Sequence, residues 1–97
     1  MNRRRETDQL RAMLAGGARI SWEIPHARRQ AAERDVPIFE AERVIRAGAV
    51  TSVETEIGGQ DRWRVSGRDA DGRPVDVVVK PIEDHTIRVV TVIRTDE

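Results

Sequence analysis

The spacing of apolar residues changes near Gly48, about halfway along the chain. Before Gly48, apolar side chains recur every three to four residues, and after it they alternate with polar ones. The first spacing is typical of helices that bury one face, and the second of strands in a sheet with one buried face. The sequence therefore predicts N-terminal helices followed by a C-terminal sheet.

The first segment predicts one helix and one short strand. "TDQLRAMLAGG" begins with Thr7, a suitable N-cap, and ends at Gly16. "ARISWEI" then alternates apolar and polar residues over a stretch that suits a short strand.

Two further helices are expected before the period changes. Pro25 suits the first position of a helix that covers about His26 to Arg34. Pro37 begins the next one, "PIFEAERVIRAG", which places apolar residues on one face and ends at Gly48.

Four strands are expected after Gly48, and together with the N-terminal helices they define the fold class. A polar turn containing Asp71-Gly72 marks a hairpin, and "IEDH" marks another turn. We therefore predict an α+β domain, with N-terminal helices packed on one face of a four- to five-stranded antiparallel, curved sheet. The strands are "AVTSVETEI", "DRWRVSGR", "PVDVVVK" and "TIRVVTVIR".

The alternation also predicts which side chains face away from the helices. If Trp63 and Val65 face the helices, so do Val75, Val77, Val79, Ile87, Val89 and Ile93. The opposite face then carries few acids besides Asp76, which favours an anion-binding surface over a merely solvated face. Its basic residues are Arg62, Arg64, Lys80, Arg88 and Arg94, beside Val78, Val90 and Val92.

Composition places the chain among soluble single domains. Ninety-seven residues with 38% apolar and 35% charged residues indicate one small core in a domain spanning 1–97, with residues 1–6 as a flexible basic tail. There is no cysteine and no apolar run long enough to span a membrane, so we expect a cytoplasmic protein without membrane contact. The net charge is zero, and Lys80 is the single lysine beside sixteen arginines.

No motif for a metal, cofactor or phosphate loop is present. His26 and His85 are the only histidines and lack metal-ligand spacing. Of the reactions considered, metal-free RNA cleavage is still compatible with these residues. In it the 2′-hydroxyl of RNA is the nucleophile, and the protein supplies a base, an acid and cations. The predicted catalytic residues are Lys80, His26 and His85, with phosphate held by Arg62, Arg64, Arg88 and Arg94.

Each candidate also has a purely structural interpretation. His26 lies at a helix start, His85 in a turn and Lys80 near a strand end. Only three aromatic residues are present, so RNA contacts would fall mainly on the phosphate backbone.

The segment "HARRQAAERDVP" resembles an uncharacterised bacterial domain family with the pattern HAxxRxxERxI, on which His26, Ala27, Glu33, Arg34 and Val36 fall. The later "GRDADGRPVDVVVK…TIRVVTVIR" is similar both to that family and to BrnT-type toxins, which look like members of the RelE/MqsR ribonuclease superfamily. The chain departs from the first pattern at Gln30 and Asp35, where that family has Arg and Gly, and it has no tyrosine. The resemblance implies a RelE-like fold whose active face is the concave sheet.

Two functions follow as hypotheses. The first is a toxin-like, metal-independent endoribonuclease of a toxin–antitoxin system, without cofactors, whose partners are RNA (including ribosome-associated mRNA) and an antitoxin protein. The alternative is a non-catalytic small domain that binds a protein or RNA partner through the same basic face.

Overall fold

The computed structural model describes residues 3–95. Three helices and five strands form an α+β fold, as the sequence predicts. They are α1 (Arg4–Ala15), β1 (Arg19–Ser21), α2 (Pro25–Glu33), α3 (Ile38–Ala47), β2 (Ala49–Thr55), β3 (Asp61–Arg68), β4 (Pro74–Ile82) and β5 (Thr86–Arg94).

The five strands form one open, mixed sheet in the order β1-β5-β4-β3-β2. Strands β2 to β5 are an antiparallel meander, whereas β1 pairs in parallel with β5. The expectation of an all-antiparallel sheet is therefore wrong for β1. The chain leaves α1 beside the turn that precedes β5, where the backbone N–H of Arg19 donates to the carbonyl of His85 at 2.9 Å, so both strands start from the same end.

The helices cover one face of the sheet and bury a single core. Alanines at the buried positions of α2 let that helix approach β5 closely, while α3 contributes larger side chains. The core combines Leu10, Met13, Ala27, Ala31, Ala41, Val44 and Ile45 of the helices with Trp63, Val65, Val75, Val77, Val79, Ile87 and Val89 of the strands. The strand residues are those that the alternation assigned to the helix side.

Helix α1 begins at Arg4, earlier than the predicted cap at Thr7. Thr7 instead ties α1 to β2, because its hydroxyl donates to the carbonyl of Arg3 at 2.8 Å and accepts the N–H of Val50 at 2.9 Å. Of the predicted basic tail, Met1 and Asn2 lie outside the described residues, and the helix contains residues 4–6.

A β-bulge in β5 changes the facing of its last residues. Val78 lies opposite Thr91 and Val79 opposite Val89, so β5 has one residue more than β4 at this point. One extra residue moves every later side chain to the other face. Val92 and Arg94 therefore face the helices, Ile93 faces away, and the predicted facing of these three residues is wrong.

Arg94 is consequently not on the open face where strand alternation places it for phosphate binding. Its side chain is 4% exposed and its Nη1 donates to the Asp69 carboxylate at 2.9 Å. Its other donors reach the carbonyls of Arg34 at 3.0 Å and Asp35 at 3.1 Å. Arg94 thus fastens the α2–α3 connection to the β3–β4 hairpin.

Helix α2 also completes the exposed edge of β5 beyond the short β1. The carboxamide oxygen of Gln30 accepts the N–H of Val92 at 3.3 Å. The Nε of Arg34 donates to the carbonyl of Val92 at 3.0 Å. These side chains satisfy an edge that would otherwise be open to another strand.

Candidate phosphate-binding site

Three basic side chains lie next to one another on the sheet face opposite the helices. Lys80 of β4 is directly opposite Arg88 of β5, and Arg62 of β3 comes one residue before the Trp63–Val79 pair. Neighbouring strands are about 4.8 Å apart, so the three positions span roughly 10 Å across the sheet. We call Arg62, Lys80 and Arg88 the cation row.

Like charges at opposite positions of a sheet repel each other, and two carboxylates offset this repulsion. Glu56, just after β2, contacts Arg62 with one oxygen and the Lys80 ammonium with the other, the latter at 3.4 Å. Glu23, just after β1, lies 3.6 Å from a terminal nitrogen of Arg88. The contacts to Lys80 and Arg88 are long, and the carboxylates are only partly buried, so each pair is weak.

The guanidinium groups at both ends of the cation row retain unused donors. Within the part of the chain that the structure describes, the Nε atoms of Arg62 and Arg88 are buried and have no hydrogen-bond partner. Buried donors are normally satisfied, so these two nitrogens have the capacity to bond a water or an ion.

Arg64 is on the same face, and its ion pair is closer than the ion pairs that Lys80 and Arg88 make. Its Nε lies 2.5 Å from the carboxylate of Asp76, which is 11% exposed. Arg64 is two residues along β3 from Arg62, a distance of about 7 Å. It therefore borders the cation row.

The open face holds more acid than the sequence indicated. Glu54 pairs in register with Arg62, and Glu56 and Glu23 reach the cation row from outside the strands. The expectation that Asp76 is the main acid on this face is wrong. A periodic pattern assigns faces within strands, but it does not show where a side chain in a turn reaches.

The two histidines do not join Lys80. His26 is exposed in the first turn of α2, whereas His85 is exposed in the β4–β5 turn. The ring of His85 contacts the Thr86 hydroxyl at 3.1 Å and the Glu83 carboxylate at 2.9 Å. His85 precedes Arg88 by three residues, about 10 Å along the strand.

The structure thus brings together Lys80, Arg62 and Arg88, with Arg64 beside them, and separates them from His26, His85 and Arg94. Sequence reasoning missed two carboxylates, Glu23 and Glu56, of which Glu56 contacts two members of the cation row. Glu56 comes two positions before Gly58-Gly59, at the end of the predicted strand "AVTSVETEI". The one sequence signal for it is this proximity to a hairpin turn that leads directly into Arg62.

The described residues contain neither a candidate metal cluster nor a helix that could span a membrane. Residues 3–95 contain no group of three or more histidine or acidic side chains arranged to hold a metal ion. No described helix is long and apolar enough to cross a membrane.

Comparison with known proteins gives one match. Residues 25–94 match the model of a domain of unknown function (DUF4258). No curated protein and no solved structure gives a significant match. The matched region starts at α2 and contains all three members of the cation row.

Proposed function

The chain belongs to the DUF4258 family, and we propose that it acts as a toxin-like endoribonuclease that holds the RNA phosphate backbone on the cation row. The observation that carries the proposal is the placement of Arg62, Lys80 and Arg88 side by side on three neighbouring strands. Cleavage would need no metal, since RNA supplies its own 2′-hydroxyl nucleophile.

The cation row suits the charge that develops during this reaction. The 2′-oxygen gives up its proton and attacks the adjacent phosphorus, the bond from phosphorus to the 5′-oxygen breaks, and the 5′-oxygen takes up a proton. In the transition state additional negative charge collects on the phosphoryl oxygens. Arginine presents two parallel donors to a phosphate, and lysine supplies a compact charge. In this proposal Lys80 neutralises the phosphoryl oxygens at the centre, and Arg62 and Arg88 orient the group from either side.

This proposal gives the histidines a lesser part than the sequence analysis does. Neither His26 nor His85 contacts the cation row, and a general acid or base must come within hydrogen-bond reach of its proton. We therefore propose Lys80 as the main contributor among the three catalytic candidates.

The test is controlled expression of the parent and of Lys80→Ala, with growth and RNA integrity recorded. We expect the parent to arrest growth and cleave RNA, and Lys80→Ala to lose at least about 100-fold of the cleavage rate. The control is Arg43→Ala, which removes an exposed cation on α3 and should keep full activity. Full activity in a folded Lys80→Ala protein, or no cleavage by the folded parent, would contradict the proposal.

A second candidate function is a non-catalytic domain that binds a protein or RNA partner through the same face. It is favoured by the carboxylates beside the cations of the face, because a surface carrying both signs of charge also suits a protein partner. RNA binding without cleavage, or capture of a small partner encoded beside this chain without RNA binding, would support this candidate over the first.

A further inference from the structure

Glu56 occupies the place in the cation row where an anion would bind. Its two carboxylate oxygens divide between Arg62 and Lys80. A phosphate bridging the same pair would use the same donors, since both groups present oxygens to neighbouring cations. Glu56 therefore uses donors that the proposed phosphate site would need.

Glu56 lies at the start of an exposed turn that joins β2 to β3. Glu56 follows the last residue of β2 and its carbonyl accepts the N–H of Gly59 at 3.1 Å, which closes a tight turn. Gly58 has φ +71°, and the side chain of Ile57 is fully exposed, so Ile57 does not anchor the turn to the core. The glutamate side chain is 33% exposed.

The two contacts of Glu56 differ in length. Its distance to the Lys80 ammonium is 3.4 Å, whereas its contact with Arg62 is close. Because Glu56 and Arg62 are both about one-third exposed, their ion pair contributes little to stability and can exchange with another anion. A single small anion must compete with this carboxylate for both cations. A chain of linked phosphates also reaches Arg88 and Arg64, which gives it additional contacts that offset the displacement.

From these contacts we infer that Glu56 is the specificity-determining residue of the cation row. Its carboxylate excludes single phosphate groups, and single-stranded RNA displaces it because several linked phosphates bind at once. The inference rests on the proposed function for its ligand, but its first test requires only inorganic phosphate.

The experiment compares the parent with Glu56→Gln, using inorganic phosphate as the probe and nuclear magnetic resonance shifts of the amides at 62, 80 and 88 as the readout. Removing one negative charge next to the bound anion should raise phosphate affinity about tenfold at low salt. We expect the same gain for Glu56→Ala. Equal phosphate affinity in the parent and both variants would overturn the inference.

Glu54→Gln is the matched control, because it removes the same charge two residues before Glu56, within β2. Glu54 lies opposite Arg62 in register. If Glu56 acts by occupying the site, Glu54→Gln should raise phosphate affinity clearly less than Glu56→Gln does, since among the described residues Glu56 and not Glu54 makes ion pairs with Arg62 and Lys80. An equal gain in both variants would show a general charge effect and contradict the specific role of Glu56.

A second probe separates this inference from the proposed function. Glu56→Gln should raise the affinity for an uncleavable single-stranded RNA less than it raises the affinity for inorganic phosphate. The ratio of RNA affinity to phosphate affinity should therefore be lower in the variant than in the parent. A gain for phosphate in a protein that neither binds nor cleaves RNA supports the role of Glu56 and rejects the ribonuclease. Loss of RNA cleavage in Glu56→Gln with unchanged phosphate affinity rejects Glu56 as the residue that excludes single phosphates and indicates proton transfer instead.

Discussion

Arg94 shows how a single residue can satisfy a sequence pattern and still have a different role. It is an arginine at the end of an alternating strand, and the alternation therefore predicts it on the basic face. Its guanidinium instead makes an ion pair with Asp69 and bonds two backbone carbonyls under α2. Pattern alone does not separate a buried, fully bonded arginine from an exposed one.

Removing Arg94 should cost far more stability than removing an arginine of the open face. Loss of one partner from a buried ion pair typically costs about 3–5 kcal/mol, because the other charge stays buried. Asp69 keeps its bonds to two backbone N–H groups, so we expect Arg94→Met to lower the free energy of unfolding by less than this limit but by clearly more than Arg88→Met, whose exposed ion pair contributes less than about 1 kcal/mol. Urea denaturation measures both, and comparable losses in the two variants would contradict the structural role of Arg94.

Asp69 makes stability depend on acid pH. Its carboxylate accepts the backbone N–H of Arg73, which is the largest cause holding its pKa below the ordinary value, and Arg94 and the N–H of Asp71 add to this against the opposing effect of burial. Since the folded state lowers the pKa of Asp69, the stabilisation is present above the ordinary pKa of about 4 and is lost as the pH falls through the lower folded value.

The test is the difference in melting temperature between the parent and Asp69→Asn at two pH values. We expect the parent to melt clearly higher at pH 7 and the difference to narrow at pH 3. A difference in melting temperature that is the same at both pH values would show that the ionised carboxylate of Asp69 does not stabilise the fold.

Secondary structure elements were largely predictable, whereas their irregularities were not. The turn containing Asp71-Gly72 forms, with φ +79° at Gly72, and the strands β3 and β5 have the predicted limits. The bulge in β5 and the parallel pairing of β1 depend on how neighbouring strands fit together. No local sequence signal encodes either of them, and the bulge alone changed the facing of Arg94.

Gly48 joins α3 to β2 for a different reason from the one its position predicts. A glycine after a helix commonly takes a left-handed conformation, but Gly48 has φ −78° and ψ −179°. A Cβ at this position would lie 2.5 Å from the carbonyl oxygen of Ser66 and 2.6 Å from that of Val44. The requirement is therefore for space against β3.

Gly48→Ala should destabilise the junction of α3 and the sheet. Forcing an atom against two backbone oxygens costs about 1–3 kcal/mol, as in other overpacked sites. Gly16→Ala is the control, since its Cβ would meet nothing nearer than 3.4 Å. Thermal denaturation should show a clear decrease for the first and little change for the second, and equal melting temperatures would contradict the packing argument.

The whole molecule is electrically balanced, with seventeen basic and seventeen acidic residues. Long-range attraction therefore does not bring RNA to this chain, and any affinity must arise locally, from cations placed within a few ångströms of each other. The sequence identified Lys80, Arg62 and Arg88 because strand alternation assigns faces correctly up to the bulge. It missed Glu56 and Glu23 because these carboxylates reach the cation row from outside the strands.

The central claim, that the cation row binds RNA phosphates, is tested most directly by the salt dependence of RNA affinity. The measurement uses an uncleavable single-stranded RNA with the parent, with Arg62→Gln/Lys80→Gln/Arg88→Gln, and with Arg29→Gln/Arg43→Gln/Arg46→Gln, which removes three exposed helix charges. If each row cation neutralises a phosphate, the first variant loses at least about tenfold in affinity and about 2 units of the slope of log affinity against log salt. The helix variant then keeps the parent's slope. Equal slopes in the parent and both variants would contradict the claim.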